Sequence, residues 1–170
     1  IRLQVAVNAD GWLPNGGSKV SIRLKKPRKI ARLQGLLSSA GVEFTSTRCR
    51  TTGFTVFRFT PPMRKGFGAE WWRCSQHQLE IVADEFVHWD GSLRKSGGRS
   101  FCSMQKADAD FIQFAISAAG ERASMAWSAH GGYTVYAKSG RPDVGLFGQD
   151  HNGIKQNVWR EPSTDGFKYC

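Results

Sequence analysis

Two Asp-Gly pairs, Asp10-Gly11 and Asp90-Gly91, carry the side chains of this sequence that could do chemistry together. Two carboxylates held a few ångströms apart repel each other, so such a pair is stable chiefly when a cation lies between them. A divalent cation held in this way can activate water and stabilise charge on a phosphate, the two requirements of phosphodiester cleavage. Taken singly, an Asp-Gly pair is more often only a turn. The metal-binding interpretation therefore depends on whether the fold brings the two acids together.

An internal repeat places the two acids at equivalent positions. Each Asp-Gly pair is followed by a Gly-Gly turn, a strand-like run, and a helix-like stretch that ends at a glycine. In the first half these features are Gly16-Gly17, residues 18–25 and the stretch ending at Gly41; in the second they are Gly97-Gly98, residues 99–104 and the stretch ending at Gly120. Both halves therefore follow one plan.

The spacing of apolar residues predicts the elements that would position the acids. Helical spacing before a glycine stop signal occurs in both halves. The positions concerned are Ile30, Leu33, Leu36, Leu37 and Ala40 in the first half, and Ile112, Ala115, Ile116 and Ala119 in the second. Strands are predicted at residues 43–50, 54–60, 123–128 and 133–138, and a helix at residues 76–88 leads into the second Asp-Gly pair.

One predicted strand, residues 19–25, has a basic face. Polar and apolar residues alternate strictly along it, which is typical of a half-buried strand. The outward-facing set is Lys19, Ser21, Arg23 and Lys25, and the inward-facing set is Val20, Ile22 and Leu24.

Composition favours a folded domain that binds a polyanion. The 170 residues are 40% hydrophobic and 12% aromatic, which argues against disorder. Lys and Arg number 24 against 14 Asp and Glu, giving a formal net charge of +10 and a pI of about 9.9. Nucleic acid is the first candidate partner, because neutralising phosphates releases counterions. A membrane is not expected, since no apolar stretch approaches the length of a span.

The cysteines and the chain ends suggest a cellular setting. Cys49, Cys74, Cys102 and Cys170 form no CxxC pair and no zinc-site spacing, so we expect reduced thiols. Ile1 opens directly into patterned sequence without a signal peptide, which favours a cytoplasmic location. The lack of an initial Met and the abrupt strand-like ending at residues 167–170 suggest a fragment of a longer protein.

Residues 3–11 (LQVAVNADG) resemble the motif that names the LAGLIDADG family, and residues 83–91 (ADEFVHWDG) resemble a second copy. The resemblance covers about residues 1–140. It implies an α+β fold of two pseudo-symmetric αββαββα-like repeats with saddle-shaped antiparallel sheets. The first repeat would be residues 1–64 and the second residues 65–140, and residues 141–170 would be a tail or a junction towards a splicing domain.

Members of this family with two motifs in one chain are monomeric, pseudo-twofold endonucleases that cut double-stranded DNA at specific sites. The chain resembles the intein kind, because Lys65-Gly66-Phe67 and the helix that follows resemble the region before the second motif of intein endonucleases. The resemblance implies Mg²⁺ or Mn²⁺ at Asp10 and Asp90, coordination completed by the carbonyls of Ala9 and Trp89, and Lys65 as a basic catalytic group. A host protein would surround the domain, and the resemblance implies a bacterial or phage-infected cell as its cytoplasmic setting.

The same resemblance implies a saddle of strands that lies in the major groove of DNA, which admits a two-stranded ribbon. The first-half candidates for DNA contact are Lys19, Ser21, Arg23, Lys25, Arg48, Arg50 and Arg58. The second-half candidates are Arg94, Lys95, Arg99 and Lys138.

Other functions stay open at this point. Trp89 is bulky, and Gln4-Val5 replace the small pair of the motif, so both positions predict a looser pair of motif helices and leave room for a degenerate domain that binds DNA without cutting it. An RNA-binding maturase or a transcription regulator on the same fold would not need both acids. A generic basic nucleic-acid module would show no metal dependence.

Overall fold

The computed structural model describes residues 1–14, 18–93, 98–128 and 131–138. Its α-helices are α1 (Arg2–Asp10), α2 (Pro27–Ser39), α3 (Gln76–Glu85) and α4 (Lys106–Ala118). Its strands are β1 (Gly11–Trp12), β2 (Val20–Leu24), β3 (Phe44–Arg48), β4 (Thr55–Phe59), β5 (Gly91–Leu93), β6 (Arg99–Ser103), β7 (Arg122–Trp127) and β8 (Tyr133–Lys138). Short 3₁₀ turns, Ala69–Arg73 and Phe86–His88, stand before and after α3. None of the helices within these ranges is long and apolar enough to cross a membrane.

The predicted α+β class and the internal repeat are confirmed. Each half runs helix, strand, strand, helix, strand, strand, and its strands form one antiparallel sheet of four. The strand orders are β1-β2-β4-β3 and β5-β6-β8-β7, so equivalent strands occupy equivalent places in the two sheets. The part of the chain predicted as a tail, residues 141–170, lies outside the described residues.

Each sheet has one face on the core. In β2, Val20, Ile22 and Leu24 are buried, while Arg23 is exposed, as the alternation predicts. In the second half, Phe101, Val135 and Ala137 face the core beneath α4. The α1 helix packs against α2, α3 and β2, so the two motif helices lie side by side within the core.

The glycine of each Asp-Gly pair is required where the chain leaves a helix for a strand. A Cβ at Gly11 would lie 2.3 Å from the carbonyl oxygen of Val7, and one at Gly91 would lie 2.6 Å from the Cα of Val87. Any larger residue would push the strand away from the helix. Because both halves make this close approach, Asp10 and Asp90 lie at equivalent junctions between a motif helix and the strand that follows it.

The second motif helix differs from the expected one. The prediction placed helix through residues 76–88, but α3 ends at Glu85 and the chain tightens into the 3₁₀ turn Phe86–His88 before Asp90. Tightening of this kind is common in the last turn of a helix. The helix begins where its sequence indicates, because Ser75 and Gln78 form a reciprocal capping box.

Two residues that depart from the motif, Gln4 and Trp89, are buried and hydrogen-bonded. Gln4 is buried, and its amide donates to the carbonyl of Arg64 (2.9 Å) and accepts from the backbone N–H of Met63 (3.2 Å). Trp89 is also buried, and its indole Nε1 donates to Glu85 at 2.9 Å. Both side chains therefore have hydrogen-bond partners inside the core, and a looser helix pair at these positions stays a prediction.

Glu85 joins the two halves of the molecule. Its carboxylate is fully buried and accepts hydrogen bonds from Arg2 (3.0 Å) and Arg32 (2.7 and 2.5 Å), which both belong to the first half. Burial alone would raise the pKa of Glu85, but the hydrogen bonds from Arg32, Arg2 and Trp89 outweigh it and the pKa is lowered. The carboxylate is therefore charged and paired across the repeat boundary.

Candidate active site and nucleic-acid surface

The structure brings Asp10 and Asp90 together at one end of the two motif helices. Asp10 is the last residue of α1, and Asp90 follows the 3₁₀ turn after α3. The Asp90 residue as a whole is exposed to solvent, yet neighbouring protein atoms partly bury its carboxyl, which lies within hydrogen-bonding reach of Asp10. This burial, and then the negative charge of Asp10, raise the pKa of Asp90 to about 6.

Lys29, which the sequence reasoning did not select, is part of this site. Its Nζ lies 2.5 Å from Oδ2 of Asp10, and the two side chains are only 13% and 22% exposed. The ammonium group also lies 5.7 Å from the centre of the Trp89 ring. In the sequence Lys29 belongs to a basic run at the start of a helix, where a solvated side chain is the ordinary expectation. Only the packing of α2 on α1 reveals the contact.

Lys65 reaches the same corner from the segment between the halves. Its Nζ donates to the carbonyl oxygen of Gly11 at 2.5 Å, and its charge acts on Asp90 to lower the carboxyl pKa, as does that of Lys29. Asn8 holds the segment in place: its side chain accepts from the backbone N–H of Gly66 (3.0 Å) and donates to the carbonyl of the same residue (3.2 Å). Two ammonium groups thus flank the two acids.

A cavity of about 330 Å³ opens beside Asp90. Its walls combine apolar side chains, among them Phe67 and Phe86, with the polar groups of Lys65 and Asp108. This cavity lies on the second-half side of the acid pair, and it has room for water and for part of a bound ligand.

The donor set suits a hard divalent cation. Carboxylate oxygens are the ligands that Mg²⁺ and Mn²⁺ prefer, and the mutual repulsion of Asp10 and Asp90 would be relieved by a cation. Within the described residues no three His, Cys, Asp or Glu side chains gather into a cluster, so backbone carbonyls, water or phosphate would have to complete the coordination. Ala9 and Trp89 adjoin the acids in the chain and remain the predicted carbonyl donors.

His88 does not join the acid pair. Burial, followed by the nearby charge of Arg32, lowers the pKa of His88, which favours the neutral imidazole. Its backbone carbonyl accepts a hydrogen bond from Arg28 at 3.3 Å. These contacts fit a structural residue at the end of the 3₁₀ turn.

The outer face of the first sheet is basic and partly aromatic. The register pairs Ser21 with Arg58 on the face opposite the core, and exposed Arg23 lies on the same face. The Arg23 guanidinium stacks over the Phe54 ring at 4.3 Å, and the Lys25 ammonium lies 5.8 Å from the same ring. Two further exposed residues extend this face, Lys19 at the start of β2 and Trp12 opposite Ser21. We call these residues the basic face: Trp12, Lys19, Ser21, Arg23, Lys25, Phe54 and Arg58.

Three predicted DNA contacts lie elsewhere. Arg48 pairs with Thr55, so it shares the core-side face of the sheet with Phe57, and Arg50 lies in the turn between β3 and β4. Arg99 likewise shares the core-side face with Phe101 and is engaged there.

The Arg99 guanidinium donates to the carbonyl of Ala83 at 2.8 Å and forms ion pairs with Glu121 and, at 3.5 Å, with Asp84. A side chain with these partners stabilises the second half and does not extend from the outer face. The prediction of a DNA contact at Arg99 is corrected accordingly.

The outer face of the second sheet is neutral over most of its described part, and its basic residues lie at one end. Ser92 and Ser100 share a hydrogen bond of 2.8 Å, and Thr134 contacts Cys102 at 3.5 Å. Lys138 lies on this face at the end of β8, opposite Arg122. The predicted contacts Arg94 and Lys95 lie outside the described residues.

Known structures share this architecture at low sequence identity. Full-length DUF199/WhiA from Thermatoga maritima superposes with a TM-score of 0.58 and 10% identity over 82% of this chain, and the chain spans only 52% of that protein. The N-terminal LAGLIDADG domain of DUF199/WhiA gives a TM-score of 0.58 and 10% identity, with 81% of this chain and 74% of that one covered.

The homing endonuclease I-DmoI, in a complex with DNA and Mn, gives a TM-score of 0.55 and 13% identity, with 81% of this chain and 87% of that one covered. No family model and no curated protein matches the sequence. Identities this low establish architecture and not activity. The chain has the LAGLIDADG fold.

Proposed function

We propose that this chain is a site-specific DNA endonuclease domain that cleaves duplex DNA with Mg²⁺ or Mn²⁺ held by Asp10 and Asp90. The single observation that carries the proposal is the meeting of the two acids at one corner of the fold, beside two lysines. An acid pair in such a place destabilises the metal-free protein, as the raised pKa of Asp90 indicates, and a cation would relieve that cost. The DNA and Mn named for I-DmoI are consistent with this chemistry.

Each part of the site has a role in phosphodiester hydrolysis. A bound divalent cation supplies an activated water and neutralises charge on the phosphate. Asp10 and Asp90 would hold it, and the ammonium group of Lys65, whose charge acts on Asp90, would stabilise charge on the phosphate or the leaving oxygen. Gly11 and Asn8 fix the position of that lysine, which limits the reorganisation needed during the reaction.

The basic face is the proposed DNA-binding surface. Arg23, Lys25 and Arg58 carry charge on the side of the sheet away from the core, where they can reach phosphates and base edges in the major groove. Stacking on Phe54 restricts the Arg23 side chain before DNA binds. The side chain therefore loses less conformational entropy on binding than a freely moving one would. We infer further that the domain acts as a pseudo-twofold monomer within a larger intein-containing protein in the cytoplasm.

A second candidate function is a DNA-binding domain that no longer cuts. The ion pair between Lys29 and Asp10 favours it, because that lysine already neutralises one acid without a metal. The two functions differ in their need for Asp90: a binding domain gains from its loss, whereas an endonuclease is inactivated.

The test uses a randomised duplex library, selected first for binding to the chain and then for cutting in Mg²⁺ or Mn²⁺. Asp10→Asn and Asp90→Asn should each abolish cutting and leave binding equal or tighter, because a charge that repels phosphate is removed. Asp84→Asn, which changes an exposed acid on α3, is the matched control and should cut normally. A wild-type chain that binds duplex but never nicks it would establish the second candidate, and cutting by either acid variant would refute the assigned roles.

A further inference from the structure

Lys29 in the first half occupies the position that Asp108 occupies in the second. Both are the third residue of their helix, since α2 begins at Pro27 and α4 begins at Lys106. Each helix follows the equivalent strand of its sheet, β2 or β6, after the same short connection. The two halves therefore place opposite charges at matched points beside the acid pair.

The contacts of these two residues differ accordingly. Lys29 lies 2.5 Å from Asp10, and both side chains are largely shielded from solvent, so water and salt weaken the attraction less than at the surface. Asp108 accepts a hydrogen bond from the backbone N–H of Phe67 at 3.3 Å and lines the cavity beside Asp90. The Asp10 side of the acid pair holds the ammonium group of Lys29, whereas the Asp90 side holds the carboxylate of Asp108, the ammonium group of Lys65 and open space.

We propose that Lys29 is a built-in counter-ion, which occupies the cation position beside Asp10, so that a divalent cation loads on the Asp90 side of the pair. The inference rests on the proposed metal-dependent function and specifies how the site is filled. A cation beside Asp10 must displace the Lys29 ammonium group, which is in direct contact with that carboxylate. A cation beside Asp90 meets the attraction of Asp108 as well as the repulsion of Lys65, so the added positive charge is offset on that side. The cavity of about 330 Å³ exceeds the roughly 30 Å³ of one water several times over, so a hydrated cation fits there.

The inference is tested by titrating the full chain with Mn²⁺ in the absence of DNA and measuring free Mn²⁺ by electron paramagnetic resonance. Lys29→Met keeps the length of the stem and removes the charge, so it should tighten Mn²⁺ binding by about tenfold or add a second bound ion. Lys26→Met removes the same charge from the exposed residue just before α2 and is the matched control, with less than about a twofold change expected because solvent screens it. Asp108→Asn should weaken binding several-fold.

The outcomes separate the inference from the proposed function. If Lys29→Met binds Mn²⁺ no more tightly than Lys26→Met, the counter-ion role is overturned while the metal site stands. If Asp108→Asn binds Mn²⁺ as tightly as the wild type does, the inference that the cation binds on the Asp90 side is overturned. This measurement does not depend on whether the Lys29 variant folds. If no variant binds Mn²⁺ at all, the inference fails together with the metal-dependent function.

Discussion

At the scale of single residues, Asp90 makes the metal-free protein sensitive to pH. Its carboxyl has a pKa of about 6 in the folded chain against an ordinary value of 3.8, so the folded state holds the proton more tightly than the unfolded state. Stability from this group is therefore greatest below about pH 4 and is lost as the pH rises towards 6 and beyond. The group opposes folding at neutral pH unless a cation is bound.

Asp90→Asn should accordingly raise the melting temperature of the chelator-treated protein at pH 7.5 by a few degrees. The gain should shrink at pH 4, where the wild-type carboxyl is protonated. Thermal unfolding followed by circular dichroism at both pH values measures the difference. Added Mg²⁺ should stabilise the wild type and not the variant, because only the wild type retains both acids. An equal gain at the two pH values would show that charge repulsion is not the cause.

At the scale of elements, the helices of the two halves are tied together by Glu85. This carboxylate has no exposure and bonds to Arg2 on α1, Arg32 on α2 and the indole of Trp89. Glu85→Gln removes the charge that two arginines require, and breaking a buried pair in this way costs about 3–5 kcal/mol. Urea unfolding should show that loss, whereas Glu80→Gln, a more exposed acid on the same helix, should change the free energy of unfolding by less than about 0.5 kcal/mol. A small effect of Glu85→Gln would mean that the halves are held by apolar packing alone.

The elements themselves could be predicted from local pattern. The helical spacing of Leu33 and Leu37 predicts α2, and the alternation of polar and apolar residues around Ile22 predicts β2, because both patterns depend only on which face of the element meets the core. The face of the sheet on which Arg99 lies could also be predicted, because Phe101 is two residues further along the strand and side chains two residues apart share a face. Treating each basic residue separately, without applying that rule to its strand, does not show that Arg48 and Arg99 lie on the core-side face of their sheets.

The contacts between elements could not be predicted in this way. Lys29 meets Asp10 only because α2 packs at a particular angle on α1, and no local pattern encodes that angle. The partnership of Glu85 with Trp89 has a local signal, since the two are four residues apart, but the arginines that complete it come from the other half. The sequence therefore predicts the acid pair through its repeat, and the surrounding cations require the tertiary structure.

At the scale of the whole molecule, the two sheets offer unequal surfaces to a nucleic acid. The outer face of the first sheet carries Arg23, Lys25 and Arg58, whereas the position that matches Arg23 in the second sheet is Cys102, beside Thr134. Phosphate contacts dominate the affinity and the salt dependence of binding, while neutral hydroxyl groups contribute to base recognition. At these matched strand positions the first sheet should therefore contribute more to the electrostatic attraction of the duplex than the second sheet, whose described basic residues Arg122 and Lys138 lie at one end.

This asymmetry is tested by measuring duplex binding over a range of salt concentrations for two matched variants. Arg23→Ala should weaken binding and lower the slope of log affinity against log salt by about 1, because one phosphate contact is lost. Cys102→Ala alters the equivalent position of the other sheet and should leave the slope unchanged. The difference in slope between the two variants measures the contribution of this position in the first sheet. Other basic segments of the chain add equally to both variants and cancel in the comparison. Equal slopes for both variants and the wild type would show that the basic face is solvent-facing and that the duplex binds elsewhere.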